Sequence, residues 1–299
     1  MVRIACFHSF RMSGENLRKQ MHDFSNFGAQ LAGCELRFPD GTYQCTPEQE
    51  AKVPPRLRQV LPPPYFEWWN ARQNGPAAAG ISFRDASLPQ LEGTITYDGE
   101  AESIARVCDF LRREGPFDGV LGFSQGGSLA HLLCLMQEQG QLDGVPAFRF
   151  AIILSARASR HPDRAPLIAA ARQRPLCLPT LVVYGGHDTD VTPDQTRELC
   201  HTIHHESLSE IFLPEGTHRV PILTLHDAAA VRNWVAQFPA VGGAPQVLAA
   251  APTPPPPPTS IKTAPAASMA PPPRSLQQSQ RRAPPPPTAP GSTTPRAAI

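Results

Sequence analysis

The chain has 299 residues, 41% of them hydrophobic, and a formal charge of +1, enough sequence for one large core or two small ones. The charge is uneven: 22 basic against 26 acidic side chains leave residues 1–239 at net −4, while Lys262, Arg274, Arg281, Arg282 and Arg296 stand unopposed beyond them. Neither part has the basic face of a nucleic-acid binder, and without a run of eighteen apolar residues no membrane span is expected.

The chain opens on Val2-Arg3-Ile4-Ala5-Cys6-Phe7, which reads as a core strand and has none of the charged and apolar regions of a secretory leader. Seven cysteines are spread singly with no C-x-x-C pair, so reduced thiols and a cytoplasmic location are expected. Strands are predicted at 3–8, 35–38, 117–123, 148–155, 179–184 and 210–213. Helices are predicted at 15–31, 100–114, 126–138, 164–174, 193–204 and 223–238. This alternation is the pattern of an α/β domain, a mostly parallel sheet covered by helices on both faces.

Between residues 39 and 91 the periodicity fails, and Pro54-Pro55, Pro62-Pro63-Pro64 and Gly75-Pro76 punctuate what reads as a long irregular insertion. An insertion of that length is expected to serve a function, and it reads as a partial lid. Its Tyr65-Phe66-Glu67-Trp68-Trp69 run fits either core packing or the wall of an acyl pocket, with Trp68, Trp69 and Phe123 as the candidate substrate contacts.

Gly122-Phe123-Ser124-Gln125-Gly126 lies between the predicted strand 117–123 and the predicted helix 126–138. Strand, sharp turn and helix around G-x-S-x-G make a nucleophile elbow, which lifts a serine hydroxyl clear of the sheet. A serine hydroxyl is a weak nucleophile near neutral pH, so Ser124 needs a base and an acid to orient that base. In α/β-hydrolases these follow in the order Ser, Asp or Glu, His. Asp188 follows the strand at 179–184, and His218 follows the strand ending at 213, both at carboxyl ends where such sheets build their sites. Asp190 is an alternative acid, and His187 is a surface or pocket histidine. His201, His204 and His205 share a helical face, but without a carboxylate at matched spacing no metal site is expected.

Acyl transfer also needs N–H groups aimed at the oxyanion. The backbone of Gln125 is one candidate, and Phe10, in the loop after the first strand, is the other. The imidazole of His8 reads as a brace for that loop. After Gly242-Gly243 the composition changes: 17 of the 36 prolines lie beyond residue 243. Such a tail, residues 240–299, is expected to be disordered with polyproline II stretches, and it is a candidate ligand for an SH3 or WW module.

Taken together, Phe7-His8-Ser9-Phe10 with Gly14, Trp68-Trp69, residues 115–126, Tyr184-Gly185-Gly186-His187-Asp188 and residues 216–221 resemble the FSH group, the family of serine hydrolases within the α/β-hydrolase superfamily. The resemblance covers about residues 2–238. It implies Ser124, Asp188 and His218 as a triad, no cofactor, and hydrolysis of carboxylic esters or thioesters with acyl chains. Two positions depart from the family pattern: Ser9 stands where His-Gly is usual, and Thr217 precedes His218 where Gly-Gly-His or a close variant is usual. Two other readings remain open from the sequence: an acyl-protein thioesterase-like carboxylesterase, and a catalytically silent scaffold acting through its proline-rich tail.

Overall fold

The computed structural model describes residues 1–74, 81–82 and 94–240. In chain order the elements are β1 (Val2–Phe7), α1 (Gly14–His22), β2 (Cys34–Arg37), β3 (Tyr43–Gln44), α2 (Pro47–Ala51), α3 (Pro55–Val60), β4 (Phe66–Glu67), β5 (Asn70–Asn74), β6 (Ile81–Ser82) and β7 (Thr94–Asp98). Then come α4 (Glu100–Glu114), β8 (Gly119–Phe123), α5 (Gln125–Glu138), β9 (Phe150–Leu154), α6 (Ala165–Gln173), β10 (Thr180–Gly185), α7 (Pro193–Cys200), β11 (Leu208–Leu213) and α8 (Leu225–Val235).

Six strands form one sheet in the order β11-β10-β9-β8-β1-β2, and every pairing in it is parallel. Parallel strands need crossovers, and the helices that supply them cover both faces. Alternate side chains therefore feed two cores. Ala5, Phe7, Val120, Ile153 and Val182 pack with α4, α5, α6 and α7. Ile4, Cys6, Leu121, Ile152 and Leu181 face the other way, onto Leu17 and Met21 of α1 and Val231 and Trp234 of α8. Residues of β8, β9 and β10 are buried throughout, as strands covered on both sides must be. Burying each such Ile, Leu or Val stabilises the fold by about 1.5–3 kcal/mol. This is an α/β-hydrolase fold, with the carboxyl ends of β8, β10 and β11 along one edge.

Two expectations need correction. The helix expected at 15–31 ends at His22, and a separate 3-10 turn spans Gly28–Leu31. Ser25 and Asn26 break it, because their side chains bond to distant backbone: Ser25 Oγ donates to Pro221 O at 2.5 Å and Asn26 Nδ2 donates to Leu223 O at 2.8 Å. The second correction concerns the stretch expected to be irregular between 39 and 91, whose described residues include several short elements. β3 pairs with β4, and β5 pairs with β6 and β7, all antiparallel. Pro47 and Pro55 occupy first helical positions, where a missing N–H costs nothing, so prolines that read as breakers start α2 and α3. Met12, Cys45, Val53, Leu61 and Tyr65 give this segment a small core of its own. Residues 75–80, 83–93 and 241–299, which include almost all of the proline-rich tail, lie outside the described residues.

Candidate active site

β8 ends at Phe123 and α5 begins at Gln125, so Ser124 must make the whole reversal by itself. Its backbone takes φ 55° and ψ −116°, a conformation that costs a non-glycine residue roughly 1–3 kcal/mol. A hydrogen bond from its N–H to Leu154 O at 2.9 Å on the neighbouring strand holds it there. The flanking glycines make the turn sterically possible. A Cβ on Gly122 would lie 2.1 Å from Gly126 O, and one on Gly126 would lie 2.1 Å from Phe7 O.

The loops after β10 and β11 are locked together through their backbones. Gly186 N–H donates to Leu213 O and His187 N–H donates to Gly216 O, each at 2.8 Å. These bonds bring Asp188 and His218 to the end of the sheet where Ser124 stands. His218 Nδ1 lies 2.8 Å from Asp188 Oδ2, and His218 Nε2 lies 2.9 Å from Ser124 Oγ. A carboxylate only accepts, so Nδ1 carries the proton and Nε2 presents its lone pair to the serine hydroxyl. The other Asp188 oxygen accepts the N–H groups of Asp190 at 3.0 Å and Val191 at 2.8 Å, which fixes the carboxylate's orientation. Its side chain is fully buried and that of His218 is 16% exposed, so the ring is shielded on the acid side and open toward the pocket. Asp190, the alternative acid, is an exposed residue that lines the pocket and supplies its backbone N–H to Asp188.

Gln125 opens α5, so its N–H has no acceptor within the helix. Phe10 lies across the same pocket, on a loop pinned from several sides. His8 Nδ1 donates to Ser9 O at 2.8 Å, Gly41 N–H donates to His8 Nε2 at 2.8 Å, and the ring stacks on Trp68 with centroids 4.9 Å apart. Burial pushes the His8 imidazole down to about 4, so it is a neutral strut at neutral pH. The departure at Ser9 carries no backbone penalty, since among the described residues only Arg11, Ser124 and Ser155 are non-glycines with positive φ. Thr217 accepts a side-chain bond from Arg219 Nε at 2.8 Å and leaves His218 in contact with Ser124.

A pocket of about 450 Å³ opens over Ser124, with Phe10, Trp69, Tyr97, Phe123 and His218 among its walls. Trp69 stacks on Tyr97 at 5.2 Å. Trp68 does not line it, which corrects its expected role as a substrate contact. Its ring is buried edge-on against Phe7, and its Nε1 donates to His8 O at 2.8 Å, so it packs behind the pocket wall. His187 is paired loosely with Glu215 at 3.5 Å on the surface. Among the described residues no three metal-ligating side chains converge, the cluster of His201, His204 and His205 included.

Three features were not visible in the sequence. The Gln125 carboxamide clasps the wall segment: Oε1 accepts Trp68 N–H at 3.0 Å and Nε2 donates to Trp69 O at 2.8 Å. Tyr97 comes from β7, far from any motif. Arg157 and Arg160 line the pocket from the loop after β9, and that position just beyond a parallel strand was the one available signal.

Comparison with known proteins identifies the family. The family model described as Serine hydrolase (FSH1) matches residues 1–230. Esterase C25G4.2 of Caenorhabditis elegans is 26% identical over 228 residues, covering 75% of this chain and 89% of its own. Esterase OVCA2 of Bos taurus is 29% identical over 215 residues, covering 67% and 82%. Among solved structures, Zea mays acyl-protein thioesterase 2 superposes with a TM-score of 0.48 at 16% identity, over 79% of this chain and 93% of that one, a likeness too loose to inform the site. With the family model matching more than two thirds of the chain, and an elbow serine at the head of α5, this protein belongs to the FSH family of serine hydrolases.

Proposed function

We propose that the protein cleaves carboxylic esters or thioesters by acyl transfer through Ser124. The observation that carries this reading is the continuous contact from Ser124 Oγ through the His218 ring to Asp188, 2.9 Å and then 2.8 Å. His218 Nε2 takes the hydroxyl proton as Oγ attacks the acyl carbon. Asp188 holds the tautomer and stabilises the imidazolium. The N–H groups of Gln125 and Phe10 receive the oxyanion, worth a few kcal/mol of barrier each. His218 then gives its proton to the departing alcohol or thiol. Water, deprotonated by the same nitrogen, attacks the acyl-enzyme, and the acid leaves with Ser124 restored.

Trp69 and Phe123 form acyl-facing walls in this reading, and seven cysteines spread singly without a C-x-x-C pair suit a reducing cytoplasm. Wild-type protein should react with a fluorophosphonate probe and turn over a short-chain activated ester. Ser124→Ala should lose both, with turnover reduced about 10⁴-fold or more and an unchanged circular dichroism spectrum. Absence of labelling in the wild type would leave a silent scaffold as the better account.

A further inference from the structure

The pocket over Ser124 is not simply an apolar acyl site. Arg157 lines it from the loop that follows β9, the strand whose Leu154 carbonyl holds the Ser124 N–H. At most ~3.6 Å per residue, Arg157 Cα stands within about 11 Å of that contact. Its backbone is fixed by the Ser128 hydroxyl, which donates to Arg157 O at 2.8 Å one helical turn after the nucleophile.

The side chain is held on one side only. Nη2 donates to Asp190 O, whereas Nη1 is buried and meets no acceptor among the described residues. Arg160 lines the same wall, its N–H donating to Tyr97 Oη at 3.2 Å. Burial first, and then the charge of Arg160, push the Arg157 guanidinium down to about 10, so it remains a cation at neutral pH in a place that disfavours one. The nearby carboxylates do not meet that need. Asp188 is committed to His218 and two N–H groups, and Asp190 is exposed and gives Arg157 only its carbonyl. Arg11, on the far side of the pocket, is paired with Glu67 at 3.1 Å. A buried N–H without an acceptor is costly, and an anionic oxygen of a bound molecule would remove that cost.

We propose that Arg157, with Arg160 beside it, recognises an anion, and that the preferred substrate is an ester or thioester carrying a carboxylate a short chain away from the scissile carbonyl. The proposal rests on the hydrolase reading above and names its substrate class.

The test compares monoethyl glutarate with ethyl pentanoate, charge on the acyl side, and carboxymethyl butyrate with ethyl butyrate, charge on the alcohol side, by pH-stat. The wild type should favour the charged member of one pair by about tenfold or more in kcat/KM, and that pair identifies which side carries the anion. In Arg157→Gln, and in Arg160→Gln as a second variant, the preference should fall toward one. The neutral ester in each variant reports any disturbance of the Asp188 loop. Equal or better use of both neutral esters by the wild type, or a preference untouched in both variants, overturns the proposal. Should no ester turn over and no fluorophosphonate label appear, the hydrolase reading fails separately. The anion site is then read by calorimetry of glutarate binding to Ser124→Ala, where no binding at millimolar concentration overturns it.

Discussion

The two halves of the pocket are built on opposite plans. The sheet edge that carries Ser124, Asp188 and His218 is held by backbone: strand register, the Leu154 bond to Ser124, and the interlocked turns after β10 and β11. The facing wall, from the described short elements between residues 39 and 98, has one backbone bond to the loop after β1, Phe66 N–H on Met12 O, and is otherwise held by side chains: Trp68 Nε1 on His8 O, Gly41 N–H on His8 Nε2, and the Gln125 carboxamide on Trp68 and Trp69. Once the glycines permit the elbow, backbone hydrogen bonds tolerate most changes of neighbouring side chain, so this edge keeps Ser124, Asp188 and His218 in fixed relation. A wall hung on side chains can be retuned one residue at a time, which suits a surface that selects substrates.

Variants should break this contrast with graded force. At the sheet edge, Asp188→Asn keeps the shape but offers an N–H toward His218 Nδ1, so turnover should fall about 10³–10⁴-fold in kcat. Asp190→Asn, two residues away, should change kcat less than about threefold; an equal loss from both would reassign the acid. On the wall, Gln125→Ala removes two hydrogen bonds without touching the Gln125 N–H, and steady-state kinetics should show about a tenfold loss in kcat/KM that differs between short and long acyl chains.

Two buried histidines, one bonded to the wall and one in the helix that follows Ser124, give a stability test. His8 anchors the wall, and His131 sits inside α5 with Nε2 2.7 Å from Thr202 Oγ1. Because Thr202 Oγ1 itself donates to Leu199 O, His131 must carry its proton on Nε2. Burial pushes both down to about 4 from 6.5. The unfolded chain therefore takes up protons first: stability is full above about pH 6.5 and is lost as pH falls toward 4, by up to about 3 kcal/mol for each ring. Thermal melts from pH 7 to 4.5 should show this slope, and His131→Leu should remove about half of it. A slope unchanged in that variant would assign the acid sensitivity to other groups. The smallest effect is expected outside both regions, where ending the chain at Pro239 should alter ester turnover less than twofold in a direct rate comparison.

The difference in plan also explains what could be read in advance. The sheet and its edge follow local rules: apolar runs of strand length, glycines flanking a serine, and an acid and a histidine just past later strands, each visible within ten residues. The wall follows from contacts between distant segments. Pro47 and Pro55 look like breakers until their place at helix starts is seen, and Ser25 and Asn26 end a helix by reaching residues 221 and 223. Trp68 and Trp69 are adjacent and alike, yet one faces the core and the other the pocket, and composition has no way to assign the sides. Arg157 stands just beyond a parallel strand, but its setting comes from Asp190 and Arg160 across the pocket wall, which motif spacing does not record.

The carboxamide of Gln125 has one further implication. It grips the peptide that carries Trp69, while its own backbone N–H, a few bonds away, is the group that the proposed mechanism assigns to the oxyanion. An acyl chain that displaces Trp69 therefore tugs on the group that must be aligned for the chemical step. Selectivity among chain lengths should then register in turnover as well as in affinity, as though the enzyme measured its cargo with the same lever it uses to act on it.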